Sequence, residues 1–282
     1  MTSAAELTAI AVDVARDAAA LIRTRRGDLI EHAAAPMHSS AVSTKSTPTD
    51  PVTVVDTEAE AAIRAHLHRL RPDDAFLGEE DGGSLEVPSG VRWVVDPIDG
   101  TVNFLYGIPA YSVSIAAQID GVSVAGAVVD VARSIVYSAT RGGGAVRDDG
   151  TGPHPLRANA VSSVSLALVA TGFGYGADRR RAQGRVIAEL LPRIRDIRRV
   201  GSAALDLCMV ASGAVDAHFE HGLNPWDWAA GALIAEEAGA VVRTPGPQSR
   251  GGEGPVTIAV APGIATEFLA LLDEIGASGP IS

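Results

Sequence analysis

The sequence predicts a mixed α+β fold, and three observations predict it. Apolar residues at helical spacing open the chain. Strand-forming runs punctuated by Gly and Asp fill the stretch from about Val91 to Gly150. After about residue 156, helical and strand patterns alternate. No repeat of 20–50 residues interrupts this order, which argues against a solenoid or propeller.

The elements follow in sequence. Residues from about Ala4 to Arg26 place Leu7, Ile10, Val14, Leu21 and Ile22 on one helical face. The next stretch, AAAPMHSSAVSTKSTPTDP, is small, polar and Pro-containing and reads as an exposed, mobile loop. VTVVDTEAEAAIRAHLHRLRP starts extended and turns helical, with Asp56 or Thr57 as the cap and Pro72 beyond the end. AFLGEEDGG is a short apolar piece followed by acids and glycines. VRWVVD, YSVSIAAQID, VSVAGAVVDVA and SIVYSATRGGGAVRDDG are β-rich, and Asp120-Gly121 marks a hairpin turn. SLALVATGFG is a strand before the helix RRRAQGRVIAELLPRI. DIRRVGSAALDLCMVASGAVDAHFE reads as strand, helix and strand. WDWAAGALIAEEAGA is a helix ending at Gly239, VTIAVA a strand, and GIATEFLALLDEI a last helix. TPGPQSRGGEGP, residues 244–255, is a surface loop with no functional reading.

Composition narrows the functional classes. Acidic residues number 34 against 23 basic ones, a net charge of −11. That balance argues against nonspecific nucleic-acid binding, which needs basic patches to displace counterions. The single cysteine, Cys208, excludes a disulfide framework within the chain and favours a cytoplasmic home. The N-terminal apolar stretch is broken by Glu6, Asp13, Arg16 and Asp17 and does not read as a signal peptide. No uncharged apolar run is long enough for a membrane span.

The acids carry the chemistry. Asp56, the pair Glu79-Glu80, the pair Asp96/Asp99 and Asp227 each stand where an apolar segment ends or a helix begins. One such acid alone is a helix cap or a turn residue. The stretch WVVDPIDGTVNF is different: it sets two carboxylates three residues apart, with Pro97 between them and Gly100-Thr101 after them. Oxygen-rich clusters of this kind suit Mg²⁺, and five or six converging acids call for more than one cation. A helix starting near Gly100-Thr101 would present free N–H groups to a phosphate. The stretch therefore reads as binding metal and phosphate together.

GEED (78–81), WVVDPIDGTVNF (93–104) and WDWAAGALIAEEAGA (226–240), with KSTPTDPVTVVD (45–56) and RRVGSAALDLCMVASGAVDAHFE (198–220), resemble the signature motifs of the inositol monophosphatase family. The likeness is in particular to the SuhB-type inositol-1-monophosphatases of actinobacteria, and it runs through nearly the whole chain. It implies a layered αβαβα sandwich of the type shared with fructose-1,6-bisphosphatases. That sandwich would be a single unit over 1–282. Residues 1–155 would carry the metal motifs and residues 156–282 would complete the site. The resemblance further implies Mg²⁺-dependent, Li⁺-sensitive hydrolysis of a phosphate monoester with two or three ions per site, and a homodimer.

Residue by residue, it assigns Glu79 to one metal, Asp96 to a position bridging two, and the Ile98 carbonyl, Asp99 and Asp227 to the rest of the metal set. Glu80 and Thr101, with Asp56 supporting Thr101, would position and activate the attacking water. Gly100 and Thr101 would offer N–H groups to the phosphate. Gly201, Ser202, Ala203 and Glu220 match positions that contact the inositol ring, with Glu79, Asp99 and Asp227 also reaching substrate. Lys45 matches a loop that helps form a metal site. Glu220 is the most substrate-informative residue, since a carboxylate accepts hydrogen bonds from polyol hydroxyls.

Other readings fit less well. A haloacid-dehalogenase-type phosphatase needs an acid two residues before Asp99, and Pro97 stands there. Histidinol phosphate, fructose 1,6-bisphosphate and 3′-phosphoadenosine 5′-phosphate are substrates of relatives, but Glu220 and GSAAL favour inositol phosphate. A silent binding protein on this fold would not need the full acid set. HFEH (218–221) reads as surface or structural, RRRAQGR as a solvated helix face, and Cys208 as buried and inert.

Overall fold

A computed structural model describes residues 2–32, 42–44 and 51–282. Lys45 and most of the preceding loop lie outside these residues. Seven helices are described: α1 (Ala4–His32), α2 (Val54–Leu70), α3 (Thr101–Tyr106), α4 (Ala177–Leu190), α5 (Ala203–Ala211), α6 (Pro225–Glu237) and α7 (Ala265–Glu274). The strands are β1 (Val42–Thr44), β2 (Pro51–Thr53), β3 (Ala75–Gly78), β4 (Val91–Asp99), β5 (Ser112–Ile119), β6 (Val122–Asp130) and β7 (Ile135–Thr140). They continue with β8 (Gly144–Asp148), β9 (Pro153–Pro155), β10 (Leu168–Thr171), β11 (Asp196–Arg198), β12 (Ala217–His221), β13 (Val241–Arg243) and β14 (Val256–Val260).

Strands β3 to β9 form one sheet in chain order; β3 pairs parallel with β4 and the rest are antiparallel. The second sheet runs β11-β10-β12-β14-β13 and is mixed. Side-chain alternation along the strands explains how they stack. In β4, Trp93 and Val95 pack on α1 and α2, while Val94 points the other way, onto the layer of α5 and α6. In the second sheet Ala170 and Ala259 face α5 and α6, while Val169, Phe219, Ile258 and Val260 face α4 and α7. Five layers result, helices α1/α2, sheet, helices α5/α6, sheet, helices α4/α7. This is the αβαβα sandwich that the resemblance implies. Small residues make the middle layer thin enough for both sheets to reach it: α5 and α6 bury seven alanines against them.

Several local expectations change. The first helix continues past Arg26 to His32, since no Pro or strong cap stops it and Gly27 is tolerated on an exposed turn. The cap of α2 is neither Asp56 nor Thr57 but Thr53, whose hydroxyl accepts from the Val55 and Asp56 N–H groups. Thr53 N–H donates to Asp56 Oδ2 at 3.0 Å, so Asp56 is the third residue of a capping box. Within the stretch read as a loop, Val42–Thr44 pairs antiparallel with Pro51–Thr53. Asp120-Gly121 does make the hairpin turn, with φ 51° and 79°, both left-handed. The loop at 244–255 is held from inside. Buried Arg92 donates to the Pro247 carbonyl, and Arg179 donates to those of Gly251 and Gly252. No helix among the described residues is long and apolar enough to cross a membrane.

Candidate active site

The two aspartates of WVVDPIDGTVNF share a face because β4 is bulged between them. Residues three apart on a regular strand point to opposite faces. Here Asp96 opposes Ser114 and Asp99 opposes Ser112, three steps on β4 against two on β5. The extra residue restores the alternation and turns both carboxylates toward the middle layer. Pro97 suits the bulge because it has no N–H to leave unpaired. Ile98 sends its side chain into the outer core.

Neighbouring elements bring further acids to the same place. Parallel pairing of Gly78 with Val95 carries Glu79 alongside Asp96. Asp227 sits in the first turn of α6, where its Oδ2 accepts the Asn224 N–H at 2.7 Å. Ser114 donates to the Trp226 carbonyl and ties that turn to β5, two residues from Asp99's partner. Ser202 caps α5 and donates to Asp99 Oδ2 at 2.6 Å; the Ala204 N–H adds a second bond at 2.8 Å. The first turns of α2, α3, α5 and α6 thus meet around the end of β4, and their partial positive charge favours anions there.

The electrostatics report crowding. Asp96 is buried, and its carboxyl is held well above the usual carboxylate range by burial and then by the charges of Glu79, Asp99 and Asp227. Asp227 is raised well above for the same reasons, burial first and then Glu79 and Asp99. Asp99 is pushed up to about 6 by burial, although the Ser202 and Ala204 bonds pull it down. Asp56 is also raised to about 6, by burial first, against the lowering bond from Thr53. Asp96 Oδ1 is buried with no hydrogen-bond partner among the described residues. Mutually repelling carboxylates with an orphaned oxygen fit a hard divalent cation, which prefers an all-oxygen donor set. Glu79, Asp96, Asp99, Asp227 and the Ile98 carbonyl are the residues that could hold it.

Thr101 stands at the first turn of α3, its Oγ 3.0 Å from both Asp56 Oδ1 and the Ile98 carbonyl. Gly100, before it, has φ +94°, and a Cβ there would come within 2.9 Å of the Ala110 carbonyl, so only glycine fits without strain. Asn103 donates to the Ala110 and Val200 carbonyls, joining this turn to the Gly201-Ser202-Ala203 segment. Glu220, on β12, faces the same layer from the second sheet; burial raises its carboxyl to about 8, with the Asp99 charge adding to the rise.

Two positioning residues escape the sequence reading. Glu60, buried on α2, accepts the Glu80 N–H at 2.8 Å and the Asp81 N–H at 2.9 Å, fixing the acidic turn. A Cβ on Gly78 would lie 2.4 Å from the Glu60 carboxylate, which explains that glycine. Asn224 is the other, holding Asp227 through its N–H and Gly251 through its Oδ1. Glu60 is one helical turn beyond Asp56 on the buried face, which is the only sign of it in the sequence.

Comparison with known proteins bears on this geometry. The family model described as "Inositol monophosphatase family" matches residues 3–276. The chain is 53% identical over 281 residues to the Mycobacterium tuberculosis protein named inositol-1-monophosphatase SuhB, covering 98% of this chain and 97% of that one. The solved structure of Mycobacterium tuberculosis SuhB superposes with a TM-score of 0.83 at 47% identity, covering 98% of this chain and 99% of that one. A Salmonella typhimurium protein named Nus factor SuhB is 40% identical over 194 residues, covering 68% of this chain and 71% of that one.

Proposed function

The chain belongs to the inositol monophosphatase family, and from that premise we propose that it is a Mg²⁺-dependent phosphate monoester hydrolase whose preferred substrate is myo-inositol 1-phosphate. Family membership alone does not settle an activity, since the family also holds a relative named as a Nus factor. The observation that carries the reading is the bulge in β4, which turns Asp96 and Asp99 to one face beside Glu79 and Asp227. Such a set has no structural use that would justify its mutual repulsion, and a cation removes the repulsion.

Glu79, Asp96, Asp99, Asp227 and the Ile98 carbonyl would hold two or three Mg²⁺ ions. Bound there, Mg²⁺ supplies acidification of water and neutralisation of charge on the phosphoryl and leaving oxygens. The rest is the work of side chains. The Thr101 hydroxyl donates its hydrogen bond to Asp56 Oδ1 or to the Ile98 carbonyl, which leaves its oxygen lone pairs to accept a hydrogen bond from the attacking water. Glu80, its backbone anchored by Glu60, is the carboxylate assigned to receive that water's proton. The N–H groups of Gly100 and Thr101 would face the phosphate, and Gly201, Ser202, Ala203 and Glu220 the ring. Attack in line with the leaving oxygen needs no cysteine or serine nucleophile, and buried Cys208 stays outside the reaction. A homodimer in the cytoplasm is part of the same proposal; sedimentation of a monomer at working concentration would remove the dimer.

The test is phosphate release by metal-stripped protein titrated with Mg²⁺ and then Li⁺. Myo-inositol 1-phosphate is compared with fructose 1,6-bisphosphate and histidinol phosphate. Mg²⁺-dependent, Li⁺-sensitive turnover preferring the inositol ester is expected. In Glu220→Ala, turnover of that ester should weaken more than metal binding does. Preference for another ester would overturn the substrate, and no turnover of any ester would overturn the reading itself.

A further inference from the structure

Beside the proposed active site, Asp206 and His218 form a buried polar pair that the reaction leaves unused, and Glu220 borders both. Asp206 on α5 and His218 and Glu220 on β12 each offer a ligand atom within 4.8 Å of the other two. His218 and Glu220 stand two apart on one strand and therefore share a face. Their neighbours Ala217 and Phe219 pack on the opposite side of the sheet. Asp206 is 1% exposed and His218 is 0% exposed. Neither ring nitrogen of His218, nor Oδ1 of Asp206, has a hydrogen-bond partner among the described residues. Thr257 lies directly across from Glu220 on β14, hence on the same face, and its buried hydroxyl is unpartnered too.

Leaving a buried polar atom unbonded costs about 1–3 kcal/mol, and folded interiors contain few such atoms. Several in one place, two of them on an imidazole, call for an occupant. We infer that Asp206, His218 and Glu220 bind a divalent transition-metal ion of the zinc class, at a site separate from the oxygen set of Glu79, Asp96, Asp99 and Asp227. The donor chemistry selects the metal. One imidazole and two carboxylates suit zinc, whereas Mg²⁺ prefers oxygen and keeps its waters. His218 Nδ1 and Asp206 Oδ2 are 3.7 Å apart, a span that two donors each about 2.1 Å from one ion can make. Burial pushes the His218 imidazole down to about 3, so it is neutral and its lone pair is available. Asp206 is held well above the carboxylate range by burial and then by the charge of Glu220, and a cation between the two removes that repulsion. Glu220 has two oxygens, so one can bind the ion while the other faces the substrate side. The inference holds whether or not the chain is a phosphatase.

The test uses the full-length protein, stripped with chelator and re-equilibrated with Zn²⁺ under excess Mg²⁺. Diffraction data above and below the zinc edge should give an anomalous peak about 2.1 Å from a His218 nitrogen and flanked by Asp206 and Glu220. In solution, His218→Gln and His218→Phe should weaken zinc retention by at least about tenfold, while Asp227→Asn retains it. A zinc peak confined to Asp96, Asp99 and Asp227 would overturn the inference. So would water density at His218 with no anomalous signal. The wild-type map decides the matter even if both His218 variants fail to fold.

Discussion

Two groups of polar side chains face the middle layer, and they differ in how far hydrogen bonds hold them: Asp96 Oδ1 in the front group is unpartnered among the described residues, but the acids around it are tied. In the front group Asp99 receives Ser202 and Ala204, Asp227 receives Asn224, and Asp56 receives Thr53 and Thr101. In the rear group Asp206 Oδ1 and both nitrogens of His218 receive nothing from the described residues. A carboxylate with one oxygen tied by N–H or O–H donors presents its other oxygen in a set direction. Helix first turns supply most of those donors, so the front group is aimed before any cation arrives. The rear group has burial without aim, and an ion would have to supply its order as well as its charge balance.

The largest expected effect breaks the front group. Asp99→Asn keeps the size and the bonds from Ser202 and Ala204 but removes the charge. Activity should fall by about a thousandfold, measured as phosphate release at saturating Mg²⁺. The metal-free variant should melt above metal-free wild type, because a buried like charge has gone. Unchanged turnover would show that Asp99 holds no metal.

Gly78→Ala tests the aim alone. The new Cβ meets Glu60 at 2.4 Å and should displace it from the Glu80 and Asp81 N–H groups. Apparent Mg²⁺ affinity should drop by about tenfold or more with the charge of the site intact. Wild-type affinity would mean that the acidic turn does not need Glu60.

A pH series reads both groups together. Asp56 and Asp99 rise from an ordinary 3.8 to about 6 on folding, and Glu220 from 4.5 to about 8. The folded state therefore binds more protons than the unfolded chain. Metal-free stability is fully present below about pH 4 as far as these groups go, and is lost as pH climbs through about 6 and then about 8. Calorimetry with chelator should show Tm lower by about 5 °C or more at pH 8 than at pH 5, and saturating Mg²⁺ should flatten the slope. A Tm that rises over this range would contradict the crowding.

The smallest effect belongs to the rear group. With all metal chelated, Asp206→Asn should raise Tm by about 2–4 °C, the size of about 1 kcal/mol in a chain of this class. A fall in Tm would mean that Asp206 is already paired inside the protein.

Much of this was legible without coordinates. Helical spacing located α1 and α2, Asp120-Gly121 located the turn between β5 and β6, and Gly239 marked the end of α6, because these depend on local periodicity and turn chemistry. The acids of WVVDPIDGTVNF and WDWAAG stood out because their spacing at the ends of apolar runs is itself local. Contacts between distant segments were not legible. Glu60 looks like any helix glutamate until its carboxylate is found under the Glu80 turn, 20 residues away. His218 looked like a surface or structural histidine until the second sheet buried it against α5. Thr53, Asp56 and Thr57 are all capping types, and only backbone angles choose Thr53 among them. The sequence by itself determined which residues are acids, where apolar runs stop and which way each strand alternates, since those are properties of neighbours along the chain. Tertiary structure alone decided that a one-residue bulge puts Asp96 and Asp99 on one face, and that four helix first turns meet there. The physical reason is that register and layer packing are set by contacts between segments far apart in the chain.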